Sequence, residues 1–152
     1  MSQRGGAPEY TLKGLLTMRR GDLDSSRAEI TKARDVLERA AEEVSQTGKT
    51  IAEIEVELRS LCETGATIDP SRHAALSGFL KDRQQTMQKQ KAMLQHAEQL
   101  YEQARNRLHR IKQGVMVLEK HKETKDQEFK TEASRREQKL MDDMWLQHPR
   151  KE

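Results

Sequence analysis

A chain of 152 residues that is 35% charged, 34% hydrophobic and only 3% aromatic cannot fill a thick core, since globular domains are usually about 45–50% apolar. Its net charge of +3 comes from closely mixed signs, with no block of like charge that reads as a nucleic-acid arm. Its one cysteine, Cys62, excludes an internal disulfide and fits a reducing compartment, and no apolar run approaches the roughly 20 residues of a membrane span. The start, Met1 to Pro8, has no apolar core of a signal peptide, so the expectation is a soluble, cytoplasmic protein. Such a composition fits either a disordered chain or a narrow helical seam, and periodicity decides between them.

Taking every seventh residue from Leu16 gives Leu16, Leu23, Ile30, Leu37, Val44, Ile51 and Leu58. Three residues further on lie Arg19, Ser26, Ala33, Ala40, Thr47, Ile54 and Leu61, small or polar at first and apolar near the end. That is a heptad seam with a charged opposite face. Helix 1 is expected over about 10–63. Gly65 then suits the end of that helix, Asp69 the N-cap of the next and Pro70 its first turn, giving a turn over about 64–70.

Helix 2 is expected over about 71–147. Its seam reads Leu80, Met87, Leu94, Tyr101, Leu108 and Val115, with Leu76, Arg83, Gln90, Ala97, Ala104, Ile111 and Leu118 as companions. After Val115 the strict repeat fails at Lys122 and Arg136, and apolar residues return at Phe129, Ala133, Leu140 and Met144. A shifted register, or a stretch no longer paired with helix 1, is the expectation there. A short turn makes the two helices antiparallel neighbours. The fold class is therefore all-α: two long helices in an antiparallel coiled-coil hairpin over 10–147, helix 2 longer and overhanging from about Phe129. Flexible segments are expected over 1–9 and 148–152. The hairpin closes its own seam, which disfavours an oligomer built on that seam.

Chemistry is sparse. Thr47, Gly48, Lys49 and Thr50 match the end of a phosphate-binding loop, but Glu43 stands where its first glycine belongs and no strand precedes it. The histidines His73, His96, His109, His121 and His148 never fall three or four apart, so no metal-ligand spacing exists. No catalytic pair has a rigid pocket, and neither an enzyme nor a cofactor is expected. From Lys81 to Lys112 eight Lys/Arg face three Asp/Glu, a net of +5. Helix-to-helix charge balance explains this best; the sharper reading is a docking stripe for an acidic partner, with Lys89, Lys91, Arg105 and Arg107 as candidates. Nucleic acid fits less well, because no aromatics interleave the stripe. The overhang concentrates apolar surface in Leu140, Met141, Met144, Trp145 and Leu146; an interface is the favoured reading, and Trp145 folding back onto Tyr10 and Leu12, or a frayed end, is the alternative.

The run from Tyr10 to Arg20 (YTLKGLLTMRR), with Ala33, Arg34, Leu37 and Ala40, resembles the opening of FliJ/YscO-type proteins. Arg136 to Lys139, followed by Asp142, Asp143 and Trp145, resembles their closing segment, and the hairpin plan fits nearly the whole chain. This family supplies central stalk proteins of bacterial type III secretion and flagellar export. The resemblance implies a non-enzymatic, cytoplasmic stalk peripheral to the inner-membrane secretion apparatus, often a virulence system, with no membrane insertion of its own. It implies that the end bearing both termini enters a hexameric export ATPase, while the hairpin tip points towards the export-gate protein. Secretion chaperones are further implied partners. On this chain the ATPase end would comprise Leu12, Leu15, Leu16, Arg19, Arg20, Leu140, Met144 and Trp145. The alternative is a coiled-coil chaperone or regulatory adaptor that binds a helical partner along the rod.

Overall fold

A computed structural model describes residues 9–63, 65 and 67–148. It contains two helices, α1 (Lys13–Glu63) and α2 (Pro70–Gln147), of 51 and 78 residues. Glu57 meets Arg72, Gly48 approaches Met87, and Glu29 meets Arg107. Stepping back along α1 thus means stepping forward along α2, so the helices form an antiparallel hairpin. The flexible segments expected over 1–9 and 148–152 fall, except for Glu9 and His148, outside the described residues. Contacts divide the chain into two units, Ser25–Leu108 and the pairing of Met1–Asp24 with His109–Glu152.

The unit Ser25–Leu108 carries the turn. Gly65 has φ 59°, a left-handed conformation that glycine adopts without strain and that suits the end of α1. The Asp69 carboxylate accepts from the Ser71 amide at 3.0 Å, and the Asp69 carbonyl accepts from the His73 amide at 3.1 Å. Asp69 is therefore the N-cap and Pro70 the first helical residue, where its missing N–H costs nothing. Along the seam Ser26, Thr47, Ile54 and Ala97 are buried, while Ile30, Leu37, Val44, Ile51, Leu58, Leu80, Met87, Leu94 and Leu108 are half-buried. A Cβ added to Gly48 would come within 3.3 Å of Met87 Cε, so the helices run close there. The same seam holds Ser26 Oγ and Gln90 Oε1 without hydrogen-bond partners.

In the second unit Leu16 and Val115 are buried, flanked by half-buried Leu23, Ile111 and Leu118. Arg20 Nη2 lies 3.1 Å from Glu119 Oε1 across the seam. Helix α1 begins at Lys13, not at residue 10, because the chain turns first: the Lys13 amide donates to the Tyr10 carbonyl at 3.0 Å. The Tyr10 hydroxyl lies 2.6 Å from His121 Nδ1 and donates to the Leu118 carbonyl at 3.5 Å. That side chain fastens the start of α1 to α2.

The expected change of register after Val115 does not appear immediately. Lys122 and Phe129, seven and fourteen residues on, are both half-buried. A lysine can lay its methylene stem on apolar surface and keep its ammonium in water, which lets the repeat cross a charged position. Phe129 and Lys130 still border Tyr10 and Thr11, and Ala133 is the last half-buried residue among those described. From Ser134 to His148 every residue is exposed.

Candidate interaction surfaces

The exposed end of α2 is built on one helical face. Leu140, Met141, Met144 and Trp145 recur at the spacing of neighbours on a helix, and their exposures are 64%, 62%, 67% and 80%. Leu146 is exposed as well, on the other side of the helix. No described part of α1 covers any of them. The α1 residues expected to share this surface behave differently. Leu12 and Leu15 are exposed, but Leu16 is only 2% exposed. Leu16 is thus a seam residue, packed too deeply to meet a partner. Arg20 is engaged by Glu119, and Arg19 lies 3.6 Å from Asp22 on its own helix.

Tyr10 and Thr11 border a cleft of about 470 Å³ with Phe129 and Lys130. From Phe129 to Trp145 the helix climbs about 24 Å at its usual rise. The surface expected from the sequence is therefore two patches on this unit, one around Leu12 and Leu15 and one around Trp145. Met18, Met116 and Val117 are exposed too, at 54%, 59% and 68%. Sequence reasoning missed them because they fall outside the heptad positions it followed.

The four basic candidates do not make one stripe. At about 100° per residue, Lys89 and Arg107 fall on one side of α2, while Lys91 and Arg105 fall on nearly the opposite side. Arg107 is held 2.9 Å from Glu29, so part of the excess positive charge balances the acidic α1. On the flank where Lys91 and Arg105 lie, Tyr101 beside Arg34 raises the guanidinium pKa, through its hydrogen bond first and its charge second.

Thr47 to Thr50 lie inside α1, where helical amides are already bonded and cannot cradle a phosphate. Thr47 itself is buried in the seam. Among the described residues no group of three or more His, Cys, Asp or Glu could hold a metal ion. Cys62 is a free, exposed thiol near the turn. Among the described residues no helix is long and apolar enough to cross a membrane.

No curated protein sequence matches the chain. A solved structure described as a YscO homolog from Chlamydia trachomatis matches with a TM-score of 0.69 at 19% identity, over 91% of this chain and 93% of that one. At that identity the likeness concerns the fold. The family model described as flagellar FliJ protein matches residues 8–152, so the chain belongs to the FliJ/YscO family, a family of non-catalytic components of flagellar and type III export.

Proposed function

We propose that the protein is a cytoplasmic stalk of a type III export apparatus, that it binds the hexameric export ATPase, and that it couples this ring to the export gate. The observation that carries this reading is the run Ser134 to His148, exposed throughout and bearing Leu140, Met144 and Trp145. A helix end with a tryptophan 80% exposed gains most by burying it against another protein, because aromatic anchors dominate interface energetics. Leu12, Leu15 and Arg19 add a second, smaller contact. A stalk inside a ring of near-sixfold symmetry meets non-equivalent subunits, so few contacts are good at once and binding is weak.

The test is ATPase stimulation by the intact chain and by a variant carrying Trp145→Ala and Leu140→Ala. The expected result is at least about tenfold weaker half-maximal stimulation with unchanged helicity, from the loss of two anchor side chains. Unchanged stimulation would contradict the assignment of this end. The adaptor reading places contacts along the body instead, so loss of stimulation on reversing Lys91 and Arg105, with no effect of the end variant, would favour it.

A further inference from the structure

The unit Ser25–Leu108 has two unlike flanks. On one, the residues that follow the seam on α2 are Ser77, Gln84, Lys91, Glu98 and Arg105, polar throughout. On the other, the residues that precede the seam on α2 run Phe79, Thr86, Met93 and Leu100 at seven-residue spacing, three of the four apolar, before the line ends at Arg107. Phe79, Met93 and Leu100 are 46%, 62% and 43% exposed. On α1 the matching position is Val36, 50% exposed. Val36 and Ala40 face Met93 and Leu100 across a groove of about 490 Å³. Cross-helix ion pairs stand on either side of it, Glu57 with Arg72 and Glu29 with Arg107.

Arg39 and Glu43 also line the groove. They are four residues apart on one helix, yet no ion pair engages either one among the described residues. Basic before acidic is the weaker order for such a pair, which leaves both charges available to another molecule. Their spacing fits one kind of molecule in particular. The level of the groove follows from Gly48, which lies against Met87. One heptad further from the turn, Ala41 and Leu94 lie level. A two-fold axis crossing the groove there, perpendicular to the helices, passes midway between Arg39 and Glu43 and beside Met93.

We propose that a second copy of this chain docks antiparallel on this groove about that axis. Arg39 of each copy then meets Glu43 of the other, twice over, and the two Met93 side chains meet at the centre. A two-fold contact must be self-complementary, and an adjacent Arg and Glu on either side of an exposed methionine satisfy that demand. Methionine suits the centre because its flexible thioether fits an irregular surface. The apolar area is small, so the dimer dissociates on the order of 10–100 µM. The residues assigned to the ATPase lie outside this groove, and the inference stands whether or not that assignment does.

Sedimentation velocity on the full chain tests it, run from about 5 to 500 µM so as to bracket that affinity. The expected mass rises from 17.6 kDa towards twice that value as concentration increases. Met93→Glu, Arg39→Glu and Glu43→Arg each weaken the dimer by about tenfold or more, and combining the two charge reversals restores it to within about fivefold, since the pair is reciprocal. Circular dichroism of each variant shows that the hairpin itself is intact. A monomer at every concentration overturns the proposal and leaves the groove to a different partner. A dimer indifferent to Met93→Glu, or single reversals that the double variant fails to rescue, overturns the two-fold pairing.

Discussion

Val115 and Trp145 sit on the same helix, yet one is 4% exposed and the other 80%. Local sequence does little to separate them, since both stand in a helix among apolar neighbours. What separates them is whether α1 has a residue to set against them. Val115 lies where the second strip of the seam is present, close to the level of Leu16 and Leu23; beyond Ala133 no described residue of α1 remains. An apolar side chain thus acts as fold in one stretch and as surface in the next, and the difference is made by the length of the partner helix. The paired stretch buries apolar surface within the chain, and the unpaired one leaves it exposed.

Charging the paired stretch should break the molecule. Ile54→Asp places a carboxylate at a position 5% exposed, which should cost about 3 kcal/mol or more; thermal unfolding followed by circular dichroism should show loss of the cooperative transition or a large drop in midpoint. If that variant melts like the unmodified chain, the seam is misassigned. Removing the cap of α2 is a smaller perturbation. Asp69→Ala should cost about 1 kcal/mol, because it deletes the acceptor for the Ser71 amide, and denaturant midpoints would record it.

An opposite sign is expected at Gly21→Ala. Nothing lies within 4 Å of the Cβ it would add, so the gain in helix propensity, about 1 kcal/mol, should appear as added stability in the same melts. The ion pair of Arg20 with Glu119 joins two half-exposed side chains, and Arg20→Ala should cost less than about 1 kcal/mol, shrinking further in salt. Trp145→Ala closes the series. With no intramolecular packing to lose, it should change stability by less than about 0.5 kcal/mol. A larger loss would show that Trp145 packs on its own chain, and the contrast with Val115 would collapse.

Much of this was legible in the sequence. The seven-residue recurrence from Leu16 to Leu58 read correctly because a heptad pattern is a local property, and Asp69–Pro70 announced the start of α2 because capping is local too. The repeat runs further past Val115 than the sequence pattern suggested, since Lys122 counts as polar in that pattern yet is half-buried in the structure. The start of α1 was placed too early because Tyr10 lies in a turn closed by the Lys13 amide, and its tie to His121, a residue 111 positions away, is one that no local pattern shows. Leu16 was put on the surface although its own heptad position placed it in the seam. Counting charges from Lys81 to Lys112 ignored their angle around the helix, so Lys89 and Lys91 were read as one stripe while facing apart. The exposure of the end of α2 was legible, because an apolar run beyond the reach of helix 1 is visible from helix lengths alone.

The most direct test uses the fact that Trp145 is the only tryptophan in the chain. Its fluorescence should be titrated with the export ATPase of the same secretion system, with a Trp145→Phe chain run in parallel to subtract the ATPase's own signal. If the exposed end of α2 binds the ring, Trp145 emission shifts to the blue and becomes protected from a soluble quencher, saturating as ATPase stimulation saturates. Emission that stays red and fully quenchable while stimulation reaches its plateau would contradict the account.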